Sequence, residues 1–147
     1  MAATVYIIRH AEAEGNIYRR CHGLYDSLLT PRAYQQLPCL AKRFENVPLA
    51  AVYASPLFRA RTTAQAVAEL RNDLHEIDMG DWEDLPWAEL PHGWPDQYAK
   101  WCARPWEAAP PHGETVMQAG ARMLNEVRRL AQENDGKAIA VVTHGSA

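Results

Sequence analysis

The sequence has 147 residues and a hydrophobic fraction of 48%, which suits one globular domain with a single core. Its formal net charge of -3 argues against nucleic acid or an anionic membrane as a partner. The three cysteines are widely spaced and form no C-x-x-C pair. Neither a zinc ribbon nor a redox motif is therefore predicted, and we expect a reducing, cytoplasmic location. The apolar run that ends at Arg9 is too short for a signal peptide or a membrane span.

Three short apolar runs predict buried strands, and they lie at residues 4–8, 50–54 and 138–143. None of them alternates strictly with polar residues. That pattern is typical of strands covered on both faces, as in a largely parallel sheet. Because helical patterns separate the three runs, we expect a layered α/β domain.

The helical patterns begin at defined start signals. Thr30-Pro31 places a hydroxyl cap before a proline at the first helical position, and Pro38 predicts a kink or a split in that helix. Ser55-Pro56 opens a second helix in the same way. Its inner face carries Ala60, Ala64, Val67 and Leu70. Thr115-x-x-Gln118 is a capping box before a third helix, which we expect to end at Gly136.

Residues 81–111, called here the tryptophan-rich segment, hold all five tryptophans and six of the ten prolines. One interpretation is a cap-like insertion over one face of the domain, because long loops often carry function. The other is a satellite hydrophobic cluster without a ligand role. An aromatic wall in this segment would suit a ring-bearing or apolar leaving group.

Polar residues that suit phosphate chemistry follow each predicted strand. Arg9 and His10 follow the first strand, Arg59 lies one helical turn past the second, and His144 follows the third. Ligands in such sheets bind beyond the carboxyl ends of the strands. Guanidinium groups and a helix N-terminus bind phosphate, and a neutral imidazole can attack phosphorus. Each residue taken alone is more often structural, but their joint placement favours a site.

Several blocks of the sequence, in this order, resemble the motifs of the phosphoglycerate mutase-like histidine phosphatases. Ala11 and Ala33 stand where that family usually has glycine. The matching blocks are Val5–Glu12, Leu29-Thr30, Ser55–Ala64, Leu74–Glu83, Pro111–Thr115 and Val141–Gly145. The resemblance covers almost the whole chain, and it implies a three-layer α/β/α fold with a mostly parallel central sheet.

The resemblance also implies a role for each matching residue. His10 would be the phosphorylated nucleophile of a phosphatase that hydrolyses a small phosphate monoester, without a cofactor or a metal. Glu76 would donate a proton to the leaving group, with Glu83 as the alternative acid. The phosphoryl group would be bound by Arg9, Arg59, His144 and, in support, Asn16.

Alternatives to a phosphatase stay open at this point. A related phosphomutase is one, although the short chain favours hydrolysis, and a catalytically silent module that binds a phosphorylated ligand is another. A metal hydrolase is a third, since His10 and His112 each begin an H-x-E pattern. However, the sequence has neither P-C-x-x-C nor H-E-x-x-H. Members of the family often dimerise, so a homodimer is also open.

Two departures from the family pattern give further expectations. Only residues 71–73 separate the second predicted helix from the Glu76 block, so we expect the strand that the family carries there to be missing. The sequence stops at Ala147, where the family adds a helix and a strand. We therefore expect a single domain over residues 1–147 that lacks C-terminal elements of the natural protein.

Overall fold

A computed structural model describes residues 1–65 and 68–146 of the chain. The strands are β1 (Thr4–Arg9), β2 (Leu49–Ala54), β3 (Glu69–Leu70) and β4 (Ala138–Thr143). The helices are α1 (Glu14–Tyr18), α2 (Ala33–Phe44), α3 (Phe58–Ala64), α4 (Leu90–Gly93), α5 (Pro95–Ala103) and α6 (Val116–Glu133). Short 3-10 helices lie at Asn72–Leu74 and Gly80–Trp82.

The four described strands form one parallel sheet in the order β1-β4-β2-β3. Strand β4 lies at the centre, where Val142 is paired with Ile8 of β1 and with Ala54 of β2. Central position explains why β4 is the most apolar of the predicted runs and is buried almost throughout. Parallel pairing brings the carboxyl ends of all the strands to the same edge of the sheet.

Helices cover both faces of the sheet. Helix α6 packs on one face, where Leu130 contacts a cluster that includes Tyr53, Ile139 and Val141. On the opposite face, α3 packs through Ala60 and Ala64 against Ala54 and Val142. Helix α2 joins α3 on that face, with the rings of Tyr6 and Phe44 edge to face at 5.4 Å. These layers confirm the predicted α/β/α fold.

The first two predicted helices begin later than their start signals indicate. Helix α2 begins at Ala33, and its predicted cap Thr30 accepts a hydrogen bond from the Ala33 N–H at 3.2 Å. Pro38 lies inside α2, which continues to Phe44, so the proline does not split the helix. Helix α3 begins at Phe58, since Ser55 and Pro56 instead form the turn that leaves β2.

The second helix is also shorter than predicted, and a strand follows it. Gln65 adopts a φ of 65°, which ends α3 after Ala64. Leu70 was expected on the helix but lies in β3, where it is paired with Ala54 of β2. The expectation that no strand occupies this region is therefore wrong. Val67, expected on the inner face of α3, lies outside the described residues.

The capping box before α6 has the predicted geometry. The Thr115 hydroxyl accepts from the Gln118 N–H at 3.1 Å, and the Gln118 side chain accepts from the Thr115 N–H at 2.8 Å. The helix ends at Glu133, and Gly136, with a φ of 72°, turns the chain into β4.

Among residues 1–65 and 68–146, no helix combines the length and apolar character needed to cross a membrane.

The tryptophan-rich segment folds over the carboxyl edge of the sheet as α4, α5 and connecting turns. The buried ring of Trp82 is its centre, and four other aromatic rings lie around it. These rings belong to Trp87, Trp94, Tyr98 and Trp101. Trp82 and Leu90 share one buried cluster with Cys21, Ile77, Met79 and Ala119, so the segment packs against the rest of the domain.

Candidate active site

The carboxyl edge of the sheet brings together four residues that the sequence predicted for the site. Arg9 is the last residue of β1, His10 follows it, and His144 follows β4. Arg59 lies in the first turn of α3, after β2. The ring centroids of His10 and His144 are 5.3 Å apart. Residues from three distant parts of the sequence therefore meet at one edge.

A cavity of about 730 Å³ opens at this edge. Among the residues predicted for the site, Arg9, His10, Asn16 and Glu76 line it. Arg59 and His144 lie beneath its surface, with exposed fractions of 0% and 6%. The aromatic side chains of Trp87 and Trp101 form part of the opposite wall. The cavity is thus charged at its sheet end and apolar where the tryptophan-rich segment borders it.

His10 is held in one tautomer. Its Nδ1 lies 2.7 Å from the carbonyl oxygen of Ala11, and because a carbonyl can only accept, Nδ1 must carry the proton. Burial lowers the pKa of His10 from 6.5 to about 4, while the Ala11 hydrogen bond acts against this shift and the charges of Arg59 and Arg9 add to it. At neutral pH the imidazole is therefore neutral, with an electron pair free on Nε2.

His144 is bound to the loop that follows β2. Its Nε2 lies 2.8 Å from the hydroxyl oxygen of Ser55, which the sequence analysis treated only as a helix cap. Burial, followed by the charge of Arg59 and by His10, lowers the pKa of His144 to about 2. Its Nδ1 is buried and has no partner among the described residues. The ring of His144 is therefore neutral at physiological pH.

Arg59 supplies a buried positive charge. Its Nη1 and Nη2 donate to the carbonyl oxygens of Tyr25 and Gly23 at 2.8 and 2.9 Å, while Nε has no partner among the described residues. Burial lowers its pKa, although the side chain stays charged at any physiological pH. A buried cation without a fully bonded carboxylate partner attracts an anion to the adjacent cavity.

The two candidate acids occupy different environments. Glu76 is 7% exposed and lines the cavity, and burial raises the pKa of its carboxyl. Glu83 does not line the cavity. Its Oε1 instead accepts from the N–H groups of Leu24 and Met79 at 2.6 and 3.3 Å. Glu83 therefore binds the loop whose carbonyl groups hold Arg59, and only Glu76 has its carboxyl beside the cavity.

Asn16 lies at the start of α1 and lines the cavity. Its Oδ1 accepts from the Ala13 N–H at 2.8 Å. Because the carboxamide oxygen is used in this way, its NH₂ group is oriented as the donor available to a ligand. This arrangement suits the supporting role expected for Asn16 with an anionic substrate.

A third histidine, which was not predicted for the site, lies at the cavity. His22 lines it, and its ring centroid lies 6.1 Å from that of His10. Burial, followed by the charge of Arg59, lowers the pKa of His22 to about 4. Its ring contacts Gly15, where a Cβ atom would overlap it. No sequence signal marks His22, because it lies in a loop remote from every predicted strand end.

No group of three or more His, Cys, Asp or Glu side chains in the described parts of the chain is arranged to hold a metal ion.

The cysteines do not pair with one another, since Cys21 is buried while Cys39 and Cys102 are exposed as free thiols. Burial raises the pKa of the Cys21 thiol to about 12, so this cavity residue is not a nucleophile.

Fold and site together define an α/β enzyme that binds a phosphoryl group beside a neutral histidine. The family model described as the histidine phosphatase superfamily (branch 1) matches residues 5–147. The chain belongs to this superfamily, and its enzyme class is that of the phosphoric monoester hydrolases.

Similar proteins include both phosphatases and mutase-like proteins. The adenosylcobalamin/alpha-ribazole phosphatase of Salmonella typhimurium is 30% identical over 147 residues, covering 95% of this chain and 73% of that protein. Phosphoglycerate mutase-like protein 4 of Arabidopsis thaliana is 29% identical over 153 residues, covering 97% and 66%. The solved structure of Bacillus stearothermophilus YhfR is 34% identical, with a TM-score of 0.91, and the match covers 99% of this chain and 75% of that one.

Proposed function

We propose that this protein hydrolyses a small phosphate monoester through a phosphohistidine on His10. The observation that carries the proposal is the state of His10 in the cavity. Its Nδ1–H is bound to the Ala11 carbonyl, its pKa is lowered to about 4, and its neutral ring lies among cations. An imidazole held in this way is a nucleophile at neutral pH.

The phosphoryl group is bound by the charges around His10. Arg9 lies at the cavity surface and Arg59 beneath it, so both guanidinium groups offset the negative charge of a phosphate dianion. The Asn16 carboxamide and the free nitrogen of His144 add neutral donors or acceptors. Arginine keeps its charge throughout the reaction, so binding does not compete with the proton transfers.

Two displacement steps follow. His10 Nε2 forms a bond to phosphorus while the bond from phosphorus to the ester oxygen breaks, and Glu76 gives its proton to the departing alcohol. Water then attacks phosphorus, Glu76 takes back a proton, and the bond from phosphorus to Nε2 breaks to release inorganic phosphate. Burial raises the pKa of Glu76, which favours the protonated carboxyl that the first step requires.

The alcohol part of the substrate lies against the apolar wall. The rings of Trp87 and Trp101 are 5.9 Å apart and inclined by 31°, and both border the cavity. Ile77, Met79 and Val116 extend the same wall. This wall favours a ring-bearing or apolar alcohol. The tryptophan-rich segment acts in this proposal as a substrate cap.

A rapid-quench experiment with a ³²P-labelled ester tests the proposal. We expect acid-labile label on the protein, its absence in His10→Ala, and its retention in His112→Ala, whose imidazole is exposed and bonded to Asp81. Label that persists in His10→Ala would contradict the nucleophile assignment. A wild-type protein that binds the ester without label or turnover would be a binding module instead.

One similar protein is mutase-like. Phosphoryl transfer to a second alcohol is therefore the alternative to hydrolysis. Hydrolysis releases equal amounts of alcohol and inorganic phosphate, whereas a mutase passes the label to another sugar phosphate. Measuring both products in the presence of an unlabelled phosphorylated acceptor distinguishes the two. We expect stoichiometric phosphate release.

We also propose a cytoplasmic location. The free thiols of Cys39 and Cys102 are exposed, and exposed unpaired thiols persist in a reducing compartment. Fractionation of cells that express the native protein would check this location.

A further inference from the structure

We propose that Arg122 and Glu114 are positioning residues, which hold the loop around Glu76 so that its carboxyl stays in place to protonate the leaving alcohol. This inference rests on the proposed role of Glu76 as the acid. Neither side chain lines the cavity, so both would act through Glu76 rather than on the substrate.

The loop that carries Glu76 needs partners from elsewhere in the fold. It follows the 3-10 helix Asn72–Leu74, and residues 75–79 have no helical or strand hydrogen bonding. Buried backbone groups in such a segment must bond to side chains or to other parts of the chain. Thr143, at the end of β4, supplies one bond, since its hydroxyl donates to the Leu74 carbonyl at 2.7 Å.

Arg122 supplies three more bonds, and all of them go to carbonyl oxygens beside the acid. Its Nη1 donates to Asp73 at 2.8 Å and to His75 at 3.0 Å, and its Nη2 donates to Glu76 itself at 3.3 Å. One guanidinium group on α6 therefore holds the backbone on the N-terminal side of Glu76 and at Glu76.

Glu114 holds both the guanidinium group and the other side of the loop. Its two carboxylate oxygens accept from Nε and Nη2 of Arg122 at 3.1 and 2.9 Å. Its Oε2 also accepts from the Asp78 N–H at 3.0 Å, and its own N–H donates to the Asp78 carbonyl at 2.8 Å. The loop is thus bound both before and after the acid.

The geometry requires arginine rather than any cation. The five contacts use all five N–H donors of the Arg122 guanidinium, whereas lysine has three donors in a different arrangement. The side chains of Arg122 and Glu114 are only 14% and 23% exposed, so solvent screens this pair less than a surface pair. The pair is therefore suited to holding the loop in one conformation.

Activity on two esters of similar size distinguishes the loss of acid positioning from a general loss of structure. The esters are p-nitrophenyl phosphate and 2-phenylethyl phosphate. The p-nitrophenolate anion leaves without protonation, whereas 2-phenylethanol needs a proton from the acid. In Arg122→Met we expect kcat/KM for 2-phenylethyl phosphate to fall about tenfold to a hundredfold, a part of what a general acid contributes. For p-nitrophenyl phosphate we expect a change of less than about threefold. We compare kcat/KM because it depends only on the steps up to release of the alcohol, which include the proton transfer from the acid.

Matched variants control the experiment. Arg129→Met removes another α6 arginine that binds a carboxylate, that of Glu126, and it should not change the ratio between the two esters. Glu76→Gln should show the same selectivity as Arg122→Met to a larger degree. Arg122→Lys should resemble Arg122→Met, because charge alone cannot replace the five donors.

The outcomes separate this inference from the proposed function. Equal loss on both esters, no loss on either, or full activity in Arg122→Lys would overturn the inference. If Arg122→Met does not fold, Glu114→Gln removes the charge from the pair and should show the same selective loss. If Glu76→Gln itself is not selective, then the acid assignment is wrong and the inference fails with it. If only Glu76→Gln is selective, the inference alone fails.

Discussion

Single side chains at this site have the protonation states that their proposed roles require. Burial lowers the pKa of His10 to about 4 and raises the pKa of Glu76. One low-dielectric environment therefore keeps the imidazole neutral as a nucleophile and favours the carboxyl form of the acid, because burial disfavours the charged form of each. Groups in a cleft whose pKa values are strongly shifted by burial and by nearby charges are typical of functional sites.

Replacement of the two candidate acids tests the assignment at this scale. In Glu76→Gln we expect kcat/KM for an alkyl phosphate to fall about 10²-fold to 10⁴-fold. In Glu83→Gln we expect less than about a tenfold change, because the carboxamide oxygen can still accept from Leu24 and Met79. Steady-state kinetics measures both, and a larger loss in Glu83→Gln would reverse the assignment.

The pH profile adds a second readout to that pair of variants. The wild-type kcat/KM for an alkyl ester should fall as pH rises through the raised pKa of Glu76, because the acid must carry its proton. Glu76→Gln should lack this decline, and Glu83→Gln should keep it. A decline that survives in Glu76→Gln would assign it to another group.

Different elements of the fold supply the reacting groups of the cavity and the wall that contacts the alcohol part of the substrate. Parallel strands deliver Arg9, His10 and His144 to one edge, and the tryptophan-rich segment lies across it. The strand ends are parts of the sheet, whereas the segment is joined to the rest of the domain through the cluster that Trp82 forms with Ile77 and Met79. The reacting groups thus come from the sheet edge, whereas Trp87 and Trp101 of the segment supply the aromatic part of the cavity wall.

Leucine substitution of Trp87 and Trp101 tests the apolar wall. We expect KM for 2-phenylethyl phosphate to rise about threefold to tenfold in each variant, since an aromatic contact contributes about 0.5–1.5 kcal/mol beyond its buried area. KM for ethyl phosphate should change little. Trp106→Leu, at a side chain that is 51% exposed and outside the cavity, is the control. An equal change for both esters would contradict a role in substrate selection.

The molecule as a whole keeps three histidines neutral in its interior, which couples its stability to pH. The pKa values of His10 and His22 are lowered to about 4 and that of His144 to about 2, all below the ordinary 6.5. Between pH 6.5 and 4 these three histidines therefore bind more protons in the unfolded chain than in the folded chain. By linkage, the free energy of unfolding falls as pH falls through this window.

Urea unfolding at pH 7, 6 and 5 measures this dependence. We expect a progressive loss of stability toward pH 5 and a shallower loss in His22→Gln, because that variant removes one of the three lowered pKa values. Burial raises the pKa values of Glu76 and Glu83, and their titration acts in the opposite direction, so a net decline requires the histidines to dominate. Constant stability from pH 7 to pH 5 would show that they do not.

Local patterns in the sequence were sufficient for the parts of the fold that depend on neighbouring residues. The runs at 4–8, 50–54 and 138–143 predicted three of the four described strands, and the Thr115 capping box predicted the start of α6. Strand ends, together with the motif blocks, indicated His10, Arg59, Glu76 and His144. These signals are readable because strand pattern and capping chemistry involve residues only a few positions apart.

The tertiary structure alone decided the features that join distant residues. The two-residue strand β3 exists because β2 offers it a paired edge, and its sequence is too short to show a pattern. The His22 ring enters the cavity through loop packing against Gly15. Arg122 meets the Asp73 carbonyl across 49 positions of sequence. The sequence by itself determined the family, the sheet and the reacting groups, whereas the surroundings that set the pKa values and the orientation of those groups arise only when the chain is packed.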